Sequence, residues 1–257
     1  ATGAHAGNIT VVDPITWAST RTLTLDAHND IIVNGTITGR SITFTAGNDV
    51  VLNANLVPNL AANGTLTFQP KTAGNTIGIN GGAGILNLDA TDLSRITGQW
   101  ASVVIGSTTN TGAMTVNGLT SFNSSLTLQN NSSITTTAPI SMVAGRALTI
   151  ETNNIALGGN LSGTNALTLR PMANATTVGI GTGATGTFHL DNTELGYLVN
   201  GFSGITIGRT TSTANTELNT ATWNDPLTIN GGNSLTVLGN QTMGNNALAL
   251  NGNAVAL

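Results

Sequence analysis

The sequence predicts an all-β chain folded as a parallel β-solenoid, with about 20 residues per coil and short helical turns inserted at corners. Three observations predict it. The first is a short apolar–polar–apolar triplet that recurs along the chain, as in Leu23-Thr24-Leu25, Ile42-Thr43-Phe44, Leu126-Thr127-Leu128 and Leu227-Thr228-Ile229. Alternation with period two marks a strand with one buried face. The second is spacing. Main triplets begin at residues 23, 42, 66, 86, 126, 148, 167, 188, 205, 227 and 248, in steps of 17 to 24, and Val103-Val104-Ile105 divides the one step of 40. The third is self-similarity. Leu66-Thr67-Phe68-Gln69-Pro70 returns as Leu167-Thr168-Leu169-Arg170-Pro171, an offset of 167 − 66 = 101. A fixed internal period is the signature of a stacked array.

A unit of this size cannot bury its own apolar face, so neighbouring coils must stack and share one inner column. About twelve coils at ~4.8 Å per step make a rod. Taken in order, weaker triplets fall between the main ones: Ile31-Ile32-Val33, Val50-Val51-Leu52, Ile77-Gly78-Ile79, Met114-Thr115-Val116, Ile155-Ala156-Leu157, Val178-Gly179-Ile180 and Leu235-Thr236-Val237. Each coil therefore holds two or three short strands, with Leu, Ile, Val and Phe inside and Thr outside. Gly and Asn occupy the turns between strands. Leu88 to Ile96 and its counterpart Leu190 to Leu198 break the pattern. Each starts with an Asp followed three residues later by an acid (Asp89/Asp92 and Asp191/Glu194), close to a capping box, which predicts one helical turn at a corner. Residues 1–257 read as one continuous solenoid segment with repeats at 63–163 and 164–257, cut from a longer chain because neither end looks like a capping repeat. The alternative is an antiparallel sandwich with hairpins at Asn34-Gly35, Asn63-Gly64, Asn117-Gly118 and Asn230-Gly231. The strands are too short and too evenly spaced to favour it.

Composition narrows the function. Charged residues make up 7% of the chain and the net charge is −4. The basic residues Arg21, Arg40, Lys71, Arg95, Arg146, Arg170 and Arg209 are scattered in sequence, so no nucleic-acid partner is expected. There is no cysteine, hence neither a disulfide nor a thiolate metal site. No apolar run reaches the ~18 residues of a membrane span, and Ala1 to His5 lacks the basic start and apolar core of a secretory leader. A Thr/Asn-rich, Lys-poor chain without cysteine suits a secreted, extracellular or cell-surface location.

Few residues suggest chemistry, and the sequence assigns no catalytic, cofactor or metal residue. The acids are Asp13, Asp26, Asp30, Asp49, Asp89, Asp92, Glu151, Asp191, Glu194, Glu217 and Asp225. Acid–base catalysis on a glycan needs two within reach of one bond. The close pairs here are the repeated Asp89/Asp92 and Asp191/Glu194, and recurrence favours a helix cap over a catalytic pair. His5, His28 and His189 have no zinc spacing, and His189 replaces Asn87 of the other repeat, which reads as a surface corner. Gly81-Gly82-Ala83-Gly84 lacks the Asp of a calcium-binding repeat. Trp100 aligns with Phe202 and Trp223 lies near the position of Phe122, an exchange that reads as packing; Trp17 is the remaining indole that could stack on a sugar. Asn8, Asn34, Asn123 and Asn160 head acceptor sequons for N-glycosylation.

The coil Leu23-Thr24-Leu25-Asp26-Ala27-His28-Asn29-Asp30-Ile31-Ile32-Val33-Asn34-Gly35-Thr36-Ile37, repeated loosely at Ile42 to Leu56 and Leu148 to Leu161, resembles the repeats of filamentous-haemagglutinin-like bacterial exoproteins and adhesins. The resemblance implies a right-handed parallel β-helix, export to the bacterial surface, and a role in adhesion or filament building. Val57-Pro58-Asn59-Leu60 lacks the first Asn of that family's Asn-Pro-Asn-Leu secretion motif, so no secretion domain is assigned. The expected function is a non-enzymatic structural and adhesive rod that joins end to end into a filament, with a host or cell-surface glycan or protein as partner. The alternatives are a glycan-active β-helix lyase or hydrolase, with carboxylates stacked on one outer face, and an ice-binding solenoid, with a flat face of Thr ladders.

Overall fold

Parallel pairing governs the described residues. In the computed structural model, which describes residues 7–61 and 63–257, every paired strand runs parallel to its neighbours and no hairpin occurs among the described residues. The chain is a β-solenoid with three sides. The first side is a ten-rung ladder: Thr22–Ala27, Ser41–Ala46, Thr65–Pro70, Ser102–Ser107, Leu126–Met142, Leu148–Leu157, Leu167–Arg170, Ile205–Gly208, Leu227–Asn230 and Leu248–Asn251. Its register aligns like with like, as in Leu23↔Ile42↔Leu66↔Val103↔Leu126. These side chains point inward, and all but Leu23 are buried. The intervening positions Thr24, Thr43, Thr67, Val104 and Thr127 form the outer column.

The second side begins with Ile9–Val11, Ile31–Val33 and Val50–Leu52 and ends with Asn215–Leu218, Ser234–Val237 and Ala254–Ala256. The third carries Ile15–Thr16, Ile37–Gly39 and Leu56–Pro58, and near the far end Ala221–Thr222 and Gln241–Thr242. In the middle the corners open out, so that Met114–Phe122, Leu126–Met142 and Leu148–Leu157 run on across more than one side. The Asn-Gly pairs lie at bends or within strands of this parallel stack. At Gly64 a side chain is excluded, because φ is +81° and a Cβ would fall 1.4 Å from the carbonyl oxygen of Arg40.

The structure corrects two rungs of the even spacing. Leu86–Leu88 and Phe188–Leu190 do not join the first ladder. They lie on the second side, paired in parallel with Ile77–Ile79 and Val178–Ile180, the strands just before them in sequence. The first ladder passes directly from Leu66 to Val103 and from Leu167 to Ile205. A triplet reports which of its faces is buried but not which strand lies beside it, so the two placements look alike in sequence. The short returns at 80–85 and 181–187 are rich in glycine because backbone packs on backbone there. A Cβ on Gly82 would lie 2.2 Å from the oxygen of Thr115.

Each doubled rung is followed by the expected helical turn, α1 (Ala90–Arg95) and α2 (Asn192–Leu195). Chain returns to the third side at Ile96 and Leu198, which bridge to Leu56 and Leu161. Strand pair, turn and bridge thus recur at offsets of 178 − 77 = 101 and 191 − 89 = 102. Trp100 and Phe202 occupy matching places and are both buried, as is Trp223, while Trp17 is half-buried with its indole N–H donating to the carbonyl of Arg21. No helix among the described residues is long and apolar enough to cross a membrane.

Candidate functional site

Two polar clusters stand out, and both are built from side chains of neighbouring coils. The first lies where the second-side ladder is interrupted. Val50–Leu52 and Leu86–Leu88 are neighbours without a ladder of hydrogen bonds between them, which leaves buried N–H groups in need of acceptors. Carboxylates supply them. Asp92 accepts from the Leu52 N–H through Oδ1 at 2.7 Å and from the Asp89 N–H through Oδ2 at 3.0 Å. Asp49 Oδ1 accepts from the N–H groups of Val50 and Asn87, each at 2.8 Å. Asp89 closes the capping box by accepting from the N–H of Asp92 at 2.9 Å.

The second interruption repeats this device. Glu194 Oε1 accepts from the Leu157 N–H at 2.9 Å, Glu194 Oε2 from the Asp191 N–H at 2.9 Å, and Asp191 from the Glu194 N–H at 2.8 Å. The acid three residues into each helical turn therefore both caps the helix and closes the gap to the preceding coil. Sequence reasoning found the cap from its local spacing. It missed the second contact, which reaches back 92 − 52 = 40 residues and leaves no local signal.

Electrostatics at the first interruption are unusual. Burial pushes the Asp92 carboxyl up from its ordinary 3.8 to about 6, with repulsion from Asp89 and Asp49 adding to it and the two backbone hydrogen bonds opposing it. Burial also raises Asp49, and Asp30 and Asp89 add repulsion. Asp89 shifts the other way, held down chiefly by the N–H of Asp92. A carboxyl raised on folding binds its proton more tightly in the folded state. Its contribution is thus fully present below pH ~3.8 and is lost as pH rises through about 6. A shift of this size corresponds to at most about 3 kcal/mol. Urea denaturation of the wild type is expected to show Asp92's share as a fall in stability between pH 4 and pH 6.5. Asp92→Asn should remove that fall; an unchanged pH profile in this variant would contradict the assignment.

The second cluster lies along the first side. Glu151 is only 6% exposed, and both of its oxygens are engaged, one by the Arg209 guanidinium and the other by Arg170 at 3.2 Å. Arg209 Nε also donates to the carbonyl oxygen of Pro171, and burial lowers its guanidinium pKa. Glu151 and Arg170 are register partners on adjacent rungs and Arg209 directly follows the next rung, Ile205–Gly208, so three scattered charges meet. An open groove of about 360 Å³ borders the two arginines. Two further grooves, about 300 and 290 Å³, flank α1 and α2. The one beside α1 includes Asn80 and Ser121, the two non-glycine residues with positive φ among the described residues (+54° and +53°). Ser121 lies at an irregularity of register between Leu119 and Phe122.

The remaining sequence candidates fall into structural places. Asp26 pairs with Lys71 on the surface. Asp30 joins an Asx ladder along one corner, accepting from Asn48 Nδ2 at 2.7 Å while Asn8 accepts from Asn29 at 2.8 Å. Glu217 accepts from the N–H and hydroxyl of Thr185, which lower its pKa. Asp225 is buried and accepts from the Gly201 N–H at 2.9 Å. Asp13 is exposed. His28 is exposed, whereas His189 sits in the middle of Phe188–Leu190 and is half-buried, a correction to its reading as a corner residue; mid-strand alternation places it between two inward side chains. His5 lies outside the described residues. Asn8, Asn34, Asn123 and Asn160 are exposed. Among the described residues, no three His, Asp or Glu side chains are grouped so as to hold a metal ion.

The class that fold and clusters define is a repetitive β-solenoid protein stapled by side chains between coils. No known protein family, no curated protein and no solved structure matches the chain, so the roles above rest on its own geometry.

Proposed function

We propose that this chain is a stiff structural and adhesive segment of an extracellular bacterial protein, akin to the filamentous-haemagglutinin-like exoproteins. The observation that carries the reading is the unbroken first ladder of ten parallel rungs. Its backbone hydrogen bonds lie along the rod axis, so stretching the rod would break many of them together. An inner column of Leu, Ile, Val and Phe adds continuous apolar burial. Low charge and the coil pattern noted above support export and display at the cell surface. A non-enzymatic role is supported by the acids: the paired ones accept from backbone N–H groups, and so are engaged in holding coils together.

End-to-end assembly is part of the same proposal: the free end of any stacked solenoid presents unpaired strand edges, and an unpaired edge is a template for another strand. Electron microscopy of the purified chain is expected to show thin unbranched fibres, and antibody labelling should stain intact producing cells. Discrete short rods would contradict the assembly, and labelling only after permeabilisation would contradict surface display.

A further inference from the structure

The Glu151–Arg170–Arg209 cluster exceeds what the scaffold requires. The matching positions of the other repeat are Thr45, Gln69 and Ser107, which carry no charge, and the same three rungs stack there without a charged clasp. A clasp between coils needs one arginine for one glutamate. Here two converge, so the cluster keeps a surplus positive charge. Both line the open groove of about 360 Å³, and none of its other lining residues is a carboxylate. The side chains of Arg170 and Arg209 are 39% and 20% exposed, and the buried Arg170 Nε has no hydrogen-bond partner. The groove continues over Thr168, Thr206, Thr210 and Asn230, with Thr168 and Thr206 side by side on adjacent rungs.

We propose that this groove binds an acidic saccharide, with a sugar carboxylate on the outward N–H groups of Arg170 and Arg209 and ring hydroxyls against the Thr and Asn side chains. A guanidinium presents a planar fork of donors that matches a carboxylate, and charge-assisted hydrogen bonds of this kind are about twice as strong as neutral ones. Glu151 holds the two forks in fixed positions, so little side-chain entropy is lost on binding. The hydroxyl- and amide-lined floor offers donors and acceptors spaced along the rod, which suits a polyhydroxylated chain over a bare ion. This site is independent of whether rods join end to end.

Calorimetric titration with a glucuronate oligosaccharide, its methyl ester and sodium acetate tests the proposal. The free acid is expected to bind about tenfold more tightly than the ester or acetate, and to weaken as salt is added. Arg170→Gln retains the Arg209–Glu151 pair and should abolish the preference for the acid. If that variant does not fold, Thr206→Val, on the outer face, is expected to weaken the oligosaccharide severalfold and leave acetate unaffected. Equal affinity for acid and ester, acetate binding as tightly as the oligosaccharide, or full affinity in folded Arg170→Gln would each overturn the assignment.

Discussion

Replacing Gly84 by Ala is expected to destabilise the solenoid by about 3 kcal/mol, and Gly186→Ala by a similar amount. The reason is the short return between parallel strands. Ile77–Ile79 and Leu86–Leu88 run side by side with only residues 80–85 between them, whereas a parallel connection commonly takes a dozen residues or more. The chain can double back only if backbone touches backbone. A Cβ on Gly84 would lie 2.0 Å from the Gly78 nitrogen, and one on Gly186 would lie 2.3 Å from the Gly179 nitrogen. Neither obstacle is a side chain that can rotate away. Gly81 and Gly181 turn the loops with φ of +88° and +87°. Gly74 is the control, because a Cβ there meets nothing within 4 Å. Urea denaturation of the three variants should place Gly74→Ala near wild type and the other two far below it. Three equal stabilities would show that the returns are not packed in this way.

Phe44→Ala is expected to remove about 3–5 kcal/mol, the usual range for deleting a buried aromatic ring. Phe44 and Phe68 occupy the same column on adjacent rungs, both fully buried, with ring centroids 5.2 Å apart and planes inclined by 16°. Their neighbours in the column are branched aliphatics, which cannot close the cavity because the ladder fixes the distance between rungs. Part of the loss belongs to the stacked pair itself. A double-mutant cycle with Phe68→Ala should give a coupling of about 0.5–1.5 kcal/mol. A coupling near zero would mean that the rings contribute only by burial.

Much of this architecture was legible in the sequence because a strand announces its buried face. The triplets, the turn residues between them and the capping boxes at Asp89 and Asp191 are local signals, and the exchange of Trp100 with Phe202 shows in the internal repeat. What was hidden depends on which coil lies against which. Leu86-Asn87-Leu88 reads like any other rung, and only the glycines before it hint that the chain has turned back on itself. The reach of Asp92 to Leu52 follows from the missing ladder bonds at that gap, and these exist only once the extra rung is in place. Glu151, Arg170 and Arg209 are separated by 19 and 39 residues (170 − 151 and 209 − 170). Their meeting becomes visible only through the register that sets Glu151 beside Arg170 and carries the chain past the second doubled rung.

The most direct test uses the absence of cysteine from the chain. Thr67 and Val104 are register partners on the outer face of the first ladder, while Asn87 pairs with Gly78 on the second side. Paired strands lie ~4.8 Å apart, within the Cα separations that a disulfide spans. Thr67→Cys combined with Val104→Cys is expected to form an intramolecular disulfide on mild oxidation, and Asn87→Cys combined with Val104→Cys to remain reduced. A disulfide in the second pair and none in the first would return Leu86–Leu88 to the first ladder and contradict the doubled rung.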